Sequence, residues 1–195
     1  MKDAYKKSPG RPRSVTSHQA MLKATIELLA EVGFEKMSID AIATRAGVGK
    51  TTIYRRYANK NELVADAIES VREEIHLPDT GHLWSDIDVL IENAAKITLT
   101  PPGQQAVAMI ISSASSNSGF AQVYWKKYLQ PRKQAFASVI ERAKARQEVA
   151  NDVDAGLVFD TMSGIMLYAL IFPPAEAWTD YIRRALKLVL SPRSS

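Results

Sequence analysis

The sequence predicts an all-α fold of about nine helices. Three observations point there. Apolar residues recur at three- and four-residue steps along most of the chain, capping residues and Pro/Gly breaks divide those runs at helical lengths, and no stretch shows a convincing period of two. The expected architecture is an N-terminal three-helix unit with a helix-turn-helix, 17–62, followed by a C-terminal helical domain, 63–195. Residues 1–16 carry Pro9, Gly10, Pro12 and several cations without apolar periodicity, so a basic, flexible arm is expected there.

From Ser17 the pattern is helical. Met21, Ala24, Thr25, Leu28, Leu29 and Val32 share a face, Gly33 supplies a stop, and Phe34 is placed to cover the helix end. Ser38 is a good N-cap for the next helix, whose Ile39, Ile42, Ala43 and Ala46 form one apolar stripe. Gly47-Val48-Gly49 makes a tight turn, with Val48 as a plug, and a short helix over 50–57 follows. Asn59 caps a further helix carrying Leu63, Val64, Ala67, Ile68 and Val71 toward His76, until Pro78-Asp79-Thr80-Gly81 breaks the chain. Later helices are expected at about 83–99, 103–116, 120–147, 153–172 and 175–190, with Pro101-Pro102 and Pro173-Pro174 as stops.

Composition excludes several classes. The 195 residues suffice for one or two domains with a substantial core. With no cysteine, disulfides and thiolate metal sites are ruled out. The charged N-terminus has no apolar signal segment, and the uncharged run Thr161–Phe172 is too short to span a bilayer, so a cytoplasmic protein with no membrane partner is expected. The net charge is +4, but it is unevenly placed: residues 1–63 carry 12 Lys/Arg against 6 Asp/Glu, and the remainder 13 against 15. A local basic excess fits one end of the chain contacting a polyanion, or a basic tail that aids solubility.

The short helix decides between them. Lys50, Thr51, Thr52, Tyr54, Arg55 and Arg56 crowd about two turns, while Ile53 and Tyr57, four apart, form an inward pair. A solvated charged face is the commonest reading of such a cluster. Here hydroxyls and a tyrosine interleave with the cations behind a tight turn, which puts base-edge readers and phosphate donors on one face suited to a DNA groove.

The run Ala46-Gly-Val-Gly-Lys-Thr-Thr-Ile-Tyr-Arg-Arg-Tyr-Ala-Asn-Lys60, with Glu62-Leu63, resembles the signature of the TetR (tetracycline repressor) family of bacterial regulators. Phe34 after Gly33 and the stretch Ile39–Ala46 match the family's preceding segments, so the specific likeness covers about 17–68. The resemblance implies that Lys50, Thr51, Tyr54 and Arg55 face bases or adjoining sugars. It implies phosphate contacts for Thr52, Tyr54, Arg56 and Lys60, and a phosphate partner in Ser38. Arg11 and Arg13, in Gly10-Arg-Pro-Arg, resemble minor-groove arms. Arg56 departs from the histidine or tyrosine frequent at its position, which bears on phosphate binding or base preference.

Other chemistry is not supported. Gly47-Val48-Gly49-Lys50-Thr51 imitates half of a P-loop, but Thr44 stands where a glycine is needed and no strand precedes it. His76 and His82 flank Asp79 across a Pro/Gly break, a pattern commoner in surface linkers than in metal sites. No nucleophile elbow or His-Glu-x-x-His helix is present. No metal, cofactor or enzymatic activity is expected.

The C-terminal helices are apolar on more than one side. Leu157, Thr161, Gly164, Ile165 and Tyr168 trace one face; Phe159, Met162, Met166 and Leu170 trace another. The last helix offers Trp178, Ile182, Leu186 and Val189 beside Tyr181, Ala185 and Leu188. Both faces could be buried within one monomer, or one could meet a two-fold partner in a four-helix interface. The resemblance favours a homodimer through these last two helices. Trp84, Met109, Tyr124, Trp125, Phe136, Met162, Met166 and Tyr168 are candidates to line a mainly apolar effector pocket, although such residues are more often plain core. The expected protein is a ligand-responsive regulator that binds a palindromic operator in double-stranded DNA as a repressor and leaves it on binding a small effector. The alternatives are a helical enzyme or carrier, or a nonspecific architectural DNA-binding protein.

Overall fold

The computed structural model describes residues 13–72 and 77–190, all helix and connector, with no strand among them. The elements are α1 (Arg13–Lys36), α2 (Ile39–Ala46), α3 (Lys50–Tyr54), α4 (Lys60–Glu69), α5 (Leu83–Thr98), α6 (Pro101–Ser116), α7 (Ser118–Tyr124), a π-helical turn (Trp125–Leu129), α8 (Gln130–Ala145), α9 (Ala155–Ile171) and α10 (Trp178–Leu190). They pack as two units. One takes in the chain through Ser70 together with Met109–Val123; the other comprises Val71–Ala108 and the chain from Tyr124 onward.

In the first unit, α1 begins at Arg13, four residues ahead of the expected start, and its backbone leaves the helix at Gly33 (φ 76°, ψ 171°). That conformation suits a residue without Cβ, and it turns Phe34 inward. Phe34 packs against Phe120 of α7 with ring centroids 5.4 Å apart. Met21, Ala24, Leu28 and Leu29 of α1, Ile42 of α2 and Leu63, Val64, Ala67 and Ile68 of α4 are all buried, the three- and four-residue spacing read from the sequence. α4 lies with α1 in this unit, whereas the boundary expected after residue 62 falls inside it. It also ends at Glu69, short of the expected reach toward His76, and Val71 is exposed; His76 itself lies outside the described residues.

The second unit is built from α5, α8, α9 and α10. Leu83, Ile87, Leu90 and Ile91 of α5 meet Phe136, Val139, Ile140 and Ala143 of α8, Val158, Met162 and Ala169 of α9, and Ile182, Leu186 and Leu190 of α10. α6 starts at Pro101 rather than 103, because proline fits a first turn whose N–H groups have no helical acceptor. The single helix expected over 120–147 is two α-helices joined by the π-helical turn. α8 closes in a Schellman motif: Glu148 N–H donates to Ala143 O and Gln147 N–H to Lys144 O, both at 2.9 Å, with Gln147 at φ 61°.

The buried Asp86 anchors the segment entering α5. Its Oδ1 accepts from both the N–H and the hydroxyl of Thr80, each at 2.7 Å. Arg142 donates to Pro78 O at 2.7 Å, and Glu148 accepts from Leu83 N–H at 2.6 Å. Glu148 also takes hydrogen bonds from Arg146, whose guanidinium, with the Leu83 N–H, holds that carboxyl below its ordinary range.

All three tryptophans, Trp84, Trp125 and Trp178, belong to the second unit, so tryptophan fluorescence, excited selectively, reports on that unit. Ile140→Ala, which empties a fully buried site there, is expected to cost about 2–5 kcal/mol, read as a lower urea midpoint in tryptophan fluorescence.

Candidate nucleic-acid interface

The helix-turn-helix begins with a capped helix. Ser38 Oγ accepts from Ala41 N–H at 3.1 Å, using a lone pair and not its own O–H, and Asp40 adds a negative charge in the first turn. α2 ends in a Schellman motif in which Gly47 N–H donates to Thr44 O (3.2 Å) and Val48 N–H to Ala43 O (3.0 Å), with Gly47 at φ 65°. This left-handed residue reverses the chain, and Val48 is half-buried at the joint. Thr52 N–H then donates to Gly49 O at 2.9 Å as α3 starts.

α3 divides cleanly by burial. Ile53 is fully buried and Tyr57 nearly so, while Lys50, Thr51, Tyr54, Arg55 and Arg56 are exposed and Thr52 is half-buried. Tyr54 keeps 56% of its surface exposed. α3 proper spans five residues, but Tyr57 N–H still donates to Ile53 O at 3.0 Å, so the helical path reaches the inward tyrosine.

Tyr57 is the buried pivot of this arrangement. Its hydroxyl lies 2.7 Å from His18 Nε2 of α1, the two rings stack at 6.1 Å, and it also hydrogen-bonds Asp66 of α4. Burial pushes its phenol up to about 12, assisted by the negative charge of Asp66 and opposed by Arg56. Two exposed ion pairs link its helices: Arg45 of α2 donates to Glu31 of α1 at 2.6 Å, holding the glutamate below its ordinary range, and Lys50 of α3 meets Asp40 of α2.

α4 starts with a reciprocal cap: Asn59 Oδ1 accepts from Glu62 N–H and Glu62 Oε2 from Ala58 N–H, both at 3.0 Å. Lys60 beside it is half-buried, and its ammonium turns inward onto Phe34 O and Met37 O. Lys50, Thr51, Thr52 and Tyr54 therefore lie on α3 and Arg55 and Arg56 on the turn that continues it, with Ser38 and Lys60 at the starts of the flanking helices. Arg11 lies outside the described residues; of Arg13 only the backbone, opening α1, is described. His18, Asp66 and Asp40 had no marker in the sequence, since their partners lie 39, 9 and 10 positions away in the chain.

The residues considered for a pocket separate. Phe136 and Met162 are buried in the second unit's core, with Trp84 and Met166 packed against it. Trp84 lies under Arg183 and Lys187, at 5.2 and 5.9 Å from the ring centroid. Tyr124 is buried, accepts from Arg72 at 3.1 Å and stacks on Tyr128; Trp125 and Tyr168 are exposed; Met109 belongs to the first unit. His82 lies 3.6 Å from Glu148, and no group of His, Cys, Asp or Glu among the described residues is arranged to hold a metal. No helix among them is long and apolar enough to cross a membrane.

A capped helix, a left-handed glycine turn and a short helix with a buried hinge and a cationic, hydroxyl-rich outer face define a helix-turn-helix DNA-binding protein with a second helical unit. Comparison with known proteins sharpens this. Residues 21–67 match the model of bacterial regulatory proteins of the TetR family, and residues 77–189 match the tetracyclin repressor-like C-terminal domain; the chain belongs to the TetR family. It is a transcriptional regulator with a DNA-binding helix-turn-helix and a C-terminal ligand-binding domain, not an enzyme. It is 29% identical to the HTH-type transcriptional regulator YdeS of Bacillus subtilis, over 89% of this chain and 88% of that one. It is 28% identical to the DNA-binding transcriptional repressor TetR of Mycobacteroides abscessus, over 81% and 84%. Among solved structures, the flavonoid-responsive regulator FrrA shares the fold with a TM-score of 0.69, 24% identity and coverage of 91% and 98%.

Tyr57 gives this unit a defined alkaline limit. The folded state keeps the phenol neutral up to about 12, against an ordinary value near 10, so the associated stability is complete below pH ~10 and is lost as pH rises toward ~12. Tyr57→Phe is expected to remove that alkaline loss, measured as helicity by circular dichroism across the same pH range.

Proposed function

We propose that the protein is a homodimeric repressor that occupies a two-fold-symmetric operator and leaves it when a small, mainly apolar effector binds its second unit. The observation that carries this reading is the outer face of α3, where Lys50, Thr51, Tyr54, Arg55 and Arg56 are exposed around a buried Ile53–Tyr57 hinge. Tyr54, Lys50, Thr51 and Arg55 read bases and sugars in the major groove; Thr52, Arg56 and Ser38 hold phosphates, and Arg11 and Arg13 reach the adjoining minor groove.

Dimerisation is supported by apolar surface left on the last two helices. Leu157, Tyr168 and Ile171 of α9, Phe172 just beyond it, and Leu188 of α10 are each more than half exposed, while Val158, Met162, Ile182 and Leu186 fill the subunit's own core. A second copy related by a two-fold axis covers such a self-complementary face and brings two α3 helices to half-sites about one DNA turn apart. Repression follows from occupancy of the promoter, and one relative is named a DNA-binding transcriptional repressor. The effector acts through its differential affinity for operator-competent and operator-incompetent dimers.

Tyr54→Ala tests the assignment. The variant is expected to remain a dimer by sedimentation and to lose specific retardation of an operator selected from genomic fragments, while keeping weak, salt-sensitive binding to any duplex. Operator affinity like that of the wild type would contradict the reading.

A further inference from the structure

The TetR-family likeness gives Lys60 to a DNA phosphate, yet its ammonium is already engaged. Nζ donates to Phe34 O at 2.8 Å and to Met37 O at 3.1 Å, and it sits 4.3 Å from the centroid of the Phe34 ring. An ammonium has three N–H donors, so no more than one remains for any other group. The side chain is half-buried, in contrast to the exposed Lys50, Arg55 and Arg56.

The two carbonyls it binds bracket the connection between α1 and α2. Phe34 O belongs to the turn made by Gly33, and Met37 O immediately precedes Ser38, the cap of α2. Both are end-of-helix or connector acceptors that need a donor, and a cation serves them better than a neutral group. The same ammonium lies against the face of Phe34, whose ring packs on Phe120. One side chain from the first residue of α4 thus fixes the end of α1, the entry to α2 and the orientation of Phe34.

We infer that Lys60 is a positioning residue for the helix-turn-helix and not a phosphate ligand: it sets the angle at which α2, and through the Gly47 turn α3, is presented to DNA. This rests on the DNA-binding reading given above. Losing it loosens base readout, which depends on the angle of α3, and spares the charges that meet phosphates.

The experiment measures affinity for a selected operator and for an unrelated duplex over a range of salt, using full-length wild type, Lys60→Gln and Lys60→Arg. For Lys60→Gln the expected result is a specificity ratio reduced about tenfold or more, with the slope of log affinity against log salt unchanged on both duplexes. A phosphate ligand would instead give a slope shallower by about 0.9 on both, with the ratio preserved; that result, or an unchanged ratio, overturns the inference. Should Lys60→Gln melt below the assay temperature, Lys60→Arg decides. Its planar guanidinium keeps the charge but not the ammonium geometry, so a positioning role predicts lost specificity and a phosphate role predicts none. Wild-type protein that does not prefer operator over unrelated duplex would defeat the DNA-binding reading itself, an outcome distinct from either slope result.

Discussion

Three helices of the first unit converge on the hydroxyl of Tyr57. His18 brings α1, Asp66 brings α4, and Tyr57 itself, with Ile53, belongs to the helical path of α3. A phenol buried this deeply is tolerated because both of its hydrogen-bonding roles are filled. The consequence reaches the opposite face: with Ile53 and Tyr57 pinned inward, helical geometry turns Thr51 and Arg55 outward, and Lys50 and Tyr54 are exposed at the margins of the buried stripe. A helix of barely two turns has little intrinsic stability, so its orientation comes from this buried side.

The cations divide into two kinds. Lys60 in the first unit and, separately, Arg142 in the second spend their charge on main-chain carbonyls, whereas Lys50, Arg55 and Arg56 stay at the surface. The ion pairs Lys50–Asp40 and Arg45–Glu31 are exposed and contribute little to stability. Asp40 lies beside Lys50 at the surface, so a partner that takes the Lys50 ammonium has to compete with that carboxylate.

Much of the first unit was legible because it is built from local rules. Ser38, Gly47 and Asn59 occupy the cap and turn positions their chemistry favours, and the four-residue spacing of Ile53 and Tyr57 marks the buried face. What stayed hidden is long-range or non-local. The inward turn of the Lys60 ammonium depends on carbonyls 23 and 26 residues earlier, and the His18–Tyr57 contact spans 39. The π-helical turn at Trp125–Leu129 leaves no mark in an apolar periodicity that runs on through it. In the second unit, Phe136 and Met162 are buried in the core, and their apolar composition alone did not mark where in that unit they would pack.

The central claim is that α3 reads a specific, two-fold-symmetric DNA site and that a small molecule releases it. Footprinting of the full-length protein on genomic fragments, with and without cell-extract metabolites, tests it most directly. The expected result is protection of two symmetric half-sites about one helical turn apart, with the protection lost in one or more metabolite fractions. Salt-sensitive retardation of every duplex with no footprint, or a small molecule bound without any change in DNA affinity, would contradict it.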